Sequence, residues 1–219
     1  MSETCDTLHR WFNEMERHRF PFDESRIPSD GIYALFERGE TSHGGDRIVR
    51  IGTHTGDGQL RSRLRQHFIS ENKDRSIFRK NIGRCLLNKE SDPFLKDWEI
   101  DLTTRGAKDE HAAAIDFGKQ AAVETDVTKY IQGSFSFVVL DVKDKGKRLG
   151  LESKLISTVS LCDECLPSKN WLGSFSPKEK IRESGLWLVN ELYKEPLSSG
   201  DMEFLRRAVK ASSLAHHFE

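Results

Sequence analysis

No stretch of this chain is apolar for long enough to cross a bilayer, which takes roughly 20 consecutive residues. Its first ten residues, Met1 to Arg10, lack the basic start and apolar middle of a secretion signal. Cysteine is scarce too: four in 219 residues, too few for the disulfide framework of a small secreted scaffold. Cys5, Cys85, Cys162 and Cys165 therefore read as reduced thiols, and the three absences together predict a cytoplasmic protein. Neither sign of charge is in excess, since 34 Lys and Arg face 35 Asp and Glu. A nucleic-acid binder with that balance must be basic locally rather than overall. No internal repeat and no low-complexity linker divides the chain, and its length suits one elaborated domain over residues 1–219. Nothing in the sequence speaks to oligomeric state.

What is present alternates between helical and strand periodicities. Apolar residues at helical spacing predict helices over Thr7–Arg19, Gln59–Phe68, Ser76–Asn88 and Leu149–Leu161. The alanine-rich stretch Ala107–Val123 predicts another, and two more are expected over Pro177–Tyr193 and Asp201–Leu214. Gly31–Glu37 and Arg47–His54 read as strands joined across a glycine-containing loop, hence an antiparallel hairpin. Phe135–Val142 (FSFVVLDV) is apolar almost throughout, which predicts a strand buried on both faces. The expected class is α+β: a small, mostly antiparallel sheet flanked by helices.

Four features line up as chemistry. Gly31-Ile32-Tyr33 opens the first strand, and Arg50-Ile51-Gly52 lies in the second. Arg63 and His67 stand four apart on one helix, so they share a face. Glu152 begins a later helix, with Leu155, Ile156 and Val159 at i+3, i+4 and i+7, so its carboxylate lies on the apolar face. An unpaired carboxylate there is costly and needs a cation or strong donors. Each also has an ordinary reading: a strand tyrosine, a solvated helix arginine flanked by Arg61 and Arg65, a surface histidine, an acid complementing a helix dipole.

Taken in order, GIY at 31–33, RIG at 50–52 and LRSRLRQHF at 60–68 resemble the GIY-YIG nuclease superfamily. LESKLISTV at 151–159 and PSKNWLG at 167–173 resemble its glutamate helix and asparagine loop. The resemblance implies a core over about 29–72 and 134–175, a helical insertion over about 73–133, and helical extensions, the C-terminal one over about 176–219. It implies a DNA endonuclease dependent on Mg²⁺ or Mn²⁺. Tyr33 would lie near the attacking water, with His67 accepting the proton. Arg63 would hold phosphate oxygens through its fork, Glu152 would bind the metal, and Gly31, Gly52 and Asn170 would support the site. The family's second tripeptide normally starts with tyrosine. Arg50 stays protonated, so it can contact phosphate or lower the pKa of Tyr33 by proximity. Two alternatives remain: a DNA-binding module of this fold with weak or no cleavage, and a protein-interaction scaffold built on the insertion.

The local basic footprint is the run Arg61, Arg63, Arg65, Lys73, Arg75, Arg79, Lys80 and Arg84, opposed only by Glu71 and Asp74. It continues directly from the arginine helix and predicts phosphate tracking by Arg61, Arg65, Arg75, Arg79, Lys80 and Arg84. Between Lys89 and Asp126 acidic residues outnumber basic ones. Cys162-Asp163-Glu164-Cys165 has the spacing of half a zinc site. No second pair exists, Cys5 and Cys85 being isolated, so zinc is not expected. Trp171 reads as a core anchor.

Overall fold

The computed structural model describes residues 2–111 and 113–214. In chain order the described elements are α1 (Ser2–Glu14), β1 (His18–Arg19), β2 (Gly31–Ser42), β3 (Gly45–Gly52), α2 (Leu60–Phe68), α3 (Ile77–Lys89), α4 (Leu95–Glu99), α5 (Arg105–His111), α6 (Phe117–Ser134), β4 (Phe135–Asp141), α7 (Lys145–Ser160), α8 (Glu179–Ser184) and α9 (Ser199–Leu214). The fold is α+β. The four strands among the described residues form one antiparallel sheet in the order β1-β4-β2-β3. β4 is central and buried on both faces, as its apolar run requires.

Side chains alternate across the sheet with the period of two that a strand imposes. Tyr33, Leu35, Phe137 and Val139 pack with Leu64 and Phe68 of α2, Phe78 and Ile82 of α3, and Val127 and Ile131 of α6. Ile32, Ala34, Phe36, Val138 and Leu140 pack on the other face with Leu8 and Phe12 of α1, Leu155 and Val159 of α7, and Leu205 of α9. The hairpin closes through His43 and Gly44, both at positive φ (51° and 72°). That is the pattern of a two-residue type I′ turn, which matches the twist of the flanking strands.

Several boundaries differ from the sequence expectation, each for a local reason. α1 ends at Glu14 rather than Arg19, because His18 and Arg19 pair with Phe137 and Ser136 of β4. The alanine-rich stretch is divided: Asp116 caps α6 by accepting from the Lys119 N–H, and α6 runs into β4. α7 starts at Lys145, where Asp144 accepts from the Lys147 N–H. Glu152 therefore lies two turns into its helix, beyond reach of the N-terminal dipole. The helix expected over 177–193 is confined to Glu179–Ser184. Gly185 ends it in the left-handed conformation (φ 67°). The chain then lies against the free edge of β3, where the Trp187 N–H donates to Val49 O at 2.8 Å. That contact covers an edge which would otherwise offer unpaired groups to another chain.

Candidate active site

The GIY and RIG tripeptides face each other: Tyr33 pairs with Gly52, and Leu35 with Arg50. Residues directly opposite in an antiparallel pair point to the same face. Tyr33 and Arg50 therefore share the face covered by α2 and α3. Both glycines are sterically required. A Cβ at Gly52 would fall inside the Tyr33 phenol, and one at Gly31 would meet the Leu140 carbonyl. The loop after β3 is fastened to the same place. Thr53 Oγ1 donates to Gly31 O (2.6 Å), and His54 Nε2 accepts from the Gly31 N–H (3.3 Å). His54 Nδ1 lies 2.6 Å from Gly56 O, so this histidine is committed to holding the loop.

α2 supplies the next two groups. Its Leu60, Leu64 and Phe68 face the core, which turns His67 inward and leaves Arg63 half-buried at the rim. His67 Nε2 lies 2.7 Å from Tyr33 Oη, and His67 Nδ1 lies 2.8 Å from Ser76 Oγ. Both Tyr33 and His67 are fully buried. Burial, reinforced by the charges of Arg63, Arg50 and Arg79, pushes the His67 pKa well below its ordinary value. The imidazole is thus neutral at physiological pH. With Nδ1–H donating to Ser76, Nε2 is free to accept the phenol proton. Arg63 is held by Nη1 donation to Gln66 Oε1 and Arg75 O, both at 3.1 Å.

Two adjoining clefts meet at Arg63. One, of about 320 Å³, is lined by Thr53, His54, Thr55, Gln59, Ser62 and Gln66. The other, of about 470 Å³, brings Arg63 together with Arg50, Asn81, Glu152, Asn190 and Glu191. Glu152 is half-buried. Burial raises its pKa, and Glu191 adds to the rise. Arg50, the Thr53 N–H and Arg63 oppose it. The carboxylate is partly compensated and gains further from a cation.

A family model for the GIY-YIG domain matches residues 3–214. The chain belongs to the GIY-YIG family. No curated protein and no solved structure matches it. GIY-YIG domains are nuclease domains and generally depend on a divalent metal. The Glu152 cleft fits such an ion, because its candidate ligands are oxygens: Glu152, Glu191 and the Asn190 side chain. Mg²⁺ favours one or two carboxylates and keeps its other positions for water.

In this GIY-YIG chain, Tyr33, Arg50, Arg63, His67 and Glu152 converge, although they come from four separate elements. Arg50 has partners of its own. Its Nη1 donates to the Trp187 carbonyl, its guanidinium lies 5.3 Å from the Phe78 ring, and its charge falls on Glu152 and His67. Among the described residues, Arg50 Nε and Asn81 Nδ2 are buried donors without a partner, and both residues line the Glu152 cleft.

Half of the expected phosphate-tracking set is used internally. Arg79 is fully buried and binds Glu124 Oε2 (2.7 Å), Thr128 Oγ1 (2.7 Å) and His67 O (3.2 Å). Lys80 binds Asp74 (3.0 Å) and Glu99 O (2.9 Å). Arg84 forms a two-pronged pair with Glu99, both contacts at 2.6 Å. Lys73, of the same run, is buried against Asp74. Arg61, Arg65 and Arg75 are exposed. Arg61 is anchored through Nε to Ile27 O (2.7 Å), and Arg65 lies 3.5 Å from Glu24. Asn170 is not brought to the site. It is exposed on a loop whose Ser168 N–H donates to Glu40 Oε2 (3.0 Å), toward the opposite end of the hairpin. Asn190 stands in the cleft instead. Neither Asn190 nor Glu191 carried a signal, because residues 185–193 looked helical. Trp171 is a core anchor: with Trp187 it donates to the buried Glu37, both bonds 2.8 Å.

Proposed function

We propose that this protein is a divalent-metal-dependent DNA endonuclease that hydrolyses phosphodiester bonds. One observation carries the reading: the Tyr33–His67–Ser76 hydrogen-bonded chain stands one helical turn from Arg63, which shares a cleft with Glu152. Tyr33 hands its proton to the neutral His67, and Ser76 fixes the imidazole that receives it. The phenolate so formed takes the proton of the attacking water. Arg63 and Arg50 hold non-bridging phosphate oxygens and stabilise the added charge of the transition state. Glu152, with Glu191 beside it, would hold Mg²⁺ or Mn²⁺, which when bound supplies Lewis-acid stabilisation of phosphoryl oxygens. Arg61, Arg65 and Arg75 track the flanking phosphates. The free, buried cysteines accord with a cytoplasmic site of action. Among the described residues no helix is long and apolar enough to cross a membrane.

Arg50 favours a second reading, a DNA-binding module with weak or no cleavage. Its guanidinium bonds to the Trp187 carbonyl and cannot relay a proton. Incubation with plasmid, branched and single-stranded DNA, with and without Mg²⁺ or Mn²⁺, separates the two on a gel. The endonuclease reading expects metal-dependent strand breaks that Glu152→Gln abolishes. The same substitution should raise the melting temperature of the metal-free protein, because it removes a carboxyl whose ionised form burial disfavours. DNA binding without breaks, in wild type and Arg50→Tyr alike, would establish the module.

A further inference from the structure

The hairpin end remote from the nuclease cleft carries a second concentration of chemistry. Cys5 on α1, His43 in the type I′ turn, and Cys162 and Cys165 just after α7 converge there, from segments up to 160 residues apart. All three cysteines are buried and free. The His43 side chain is 1% exposed although it sits at a hairpin tip. Histidine is among the few non-glycine residues that tolerate positive φ, and here it points inward, onto sulfur.

We propose that Cys5, His43, Cys162 and Cys165 bind one zinc ion that ties α1, the hairpin tip and the segment after α7 together. Tetrahedral zinc with S at 2.3 Å and N near 2.0 Å sets its ligand atoms about 3.5–3.8 Å apart. His43 Nε2 lies 3.4 Å from the Sγ atoms of both Cys162 and Cys165, and Cys5 Sγ lies 3.5 Å from Cys165 Sγ. The set is Cys₃His, a common structural zinc set, and Cys162-x-x-Cys165 supplies its paired half. Ligand histidines are usually oriented through their second nitrogen. His43 Nδ1 faces the carboxylates of Glu164 (3.6 Å) and Asp6 (3.7 Å).

His9 also adjoins the cluster, and His9, Cys5, His43 and Cys165 all lie within 4.8 Å of one another. Its ring nitrogens are already engaged. Nδ1 is 3.0 Å from Cys5 O, and Nε2 accepts from the Ile48 N–H at 3.2 Å. Ligation by His9 would orphan that buried N–H, so Cys162 is the better fourth ligand. Soft sulfur donors also set this site apart from a magnesium site. Binding releases the protons of the thiols that ligate, so it is tighter at higher pH. The proposal is independent of the nuclease reading.

The test is elemental analysis of the full chain, expressed with zinc and purified under reducing, anaerobic conditions. One zinc per chain is expected in wild type, in Cys85→Ser, in Glu152→Gln and in His9→Gln. Loss is expected in Cys165→Ser and His43→Ala. Cobalt exchange gives a readout that does not rely on variants folding. Wild type should show the visible bands of tetrahedral cobalt and the near-ultraviolet thiolate charge-transfer band. Stripping zinc with a strong chelator should lower the melting temperature. Three results would overturn the proposal: wild type without zinc and without the cobalt bands, a Cys5–Cys165 disulfide in freshly purified protein, or zinc retained in both ligand variants.

Discussion

The neighbouring helices α2 and α3 are both basic in sequence, yet they use their charge in opposite ways. α2 turns Leu60, Leu64, His67 and Phe68 inward and presents Arg61, Arg63 and Arg65 at or near the surface. α3 buries Arg79, Lys80 and Arg84. The difference lies in the partners. Arg79 meets Glu124 of α6, Arg84 meets Glu99 of α4, and Lys80 meets Asp74. The acidic excess between Lys89 and Asp126 is thus partly the counter-charge of α3. A run of like charge in a sequence identifies a nucleic-acid surface only after its neutralising partners have been found.

The strongest way to break this contrast is to remove one member of a buried pair. Arg79→Ala leaves Glu124 enclosed without its guanidinium partner, and it takes donors from Thr128 and the His67 carbonyl. Breaking a buried pair in this way costs about 3–5 kcal/mol, so urea denaturation should show a large loss of stability. Arg61→Ala and Arg65→Ala should leave the midpoint nearly unchanged. An undisturbed midpoint in Arg79→Ala would mean that the α3 charges are dispensable to the fold and free for another use.

Within α2 the contrast sharpens to a single residue. Arg63 alone lines both clefts. Arg63→Ala is expected to lower the cleavage rate on the order of a hundredfold or more, the usual cost of losing one preorganised charge stabiliser. Arg61→Ala and Arg65→Ala should fall only a few-fold, through binding. Single-turnover kinetics at saturating protein distinguish the two. Equal losses at all three positions would make Arg63 another phosphate contact.

The two helices also act jointly on His67. Arg63 from α2 and Arg79 from α3, with Arg50, press on a fully buried imidazole whose pKa burial has already lowered well below its usual value. In the unfolded chain this histidine titrates near 6.5. The unfolded state therefore binds the proton first, and stability falls as pH drops below about 6.5 until the lowered folded value is reached. Melting temperatures at pH 7 and pH 5 should show a smaller acid loss in His67→Gln than in wild type. The same shift keeps the imidazole available as an acceptor below pH 6.5, so cleavage should not lose activity from this group near its ordinary pKa. An acid limb near 6.5 that His67→Gln removes would refute the neutral-acceptor role.

Local patterns made much of this legible in the sequence. Tyr33 and Gly52 are opposed because two alternating strands close through a glycine turn. Glu152 faces the cleft because Leu155, Ile156 and Val159 set the helix face, and all three are buried. Partnerships across long separations were legible only where the family resemblance implied them, as for Tyr33 with His67 at 34 residues; Arg79 with Glu124 at 45 and Cys5 with Cys165 at 160 were not. Cys5 looked isolated only because its partners are distant in sequence. The 185–193 segment misled for a different reason. Its apolar spacing suits a helix, but Gly185 stops the helix and Trp187 pairs with the β3 edge. That placed Asn190 and Glu191 in the cleft without any motif to announce them.

The smallest expected effect tests the contrast at the proposed DNA surface. Neutralising one backbone phosphate contributes about 0.9 to the slope of log K against log salt. If Arg61, Arg65 and Arg75 each touch a phosphate, each alanine variant should lower that slope by roughly 1 and weaken binding to all sequences alike. Arg65 starts with a partner, Glu24 at 3.5 Å, but that pair is largely exposed and worth little, so the side chain can exchange it for phosphate. Arg84 is the control from α3. Its guanidinium is two-pronged on Glu99 and also donates to Asn81. Glu99 keeps 39% of its side chain exposed, so Arg84→Met leaves that carboxylate access to water and the protein should stay folded. Its salt slope should match wild type. Fluorescence anisotropy on one duplex across a salt series, with Ca²⁺ in place of Mg²⁺ to suppress cleavage, measures all four. A slope change in Arg84→Met equal to that in Arg75→Ala would place α3 on the DNA and undo the division between the two helices.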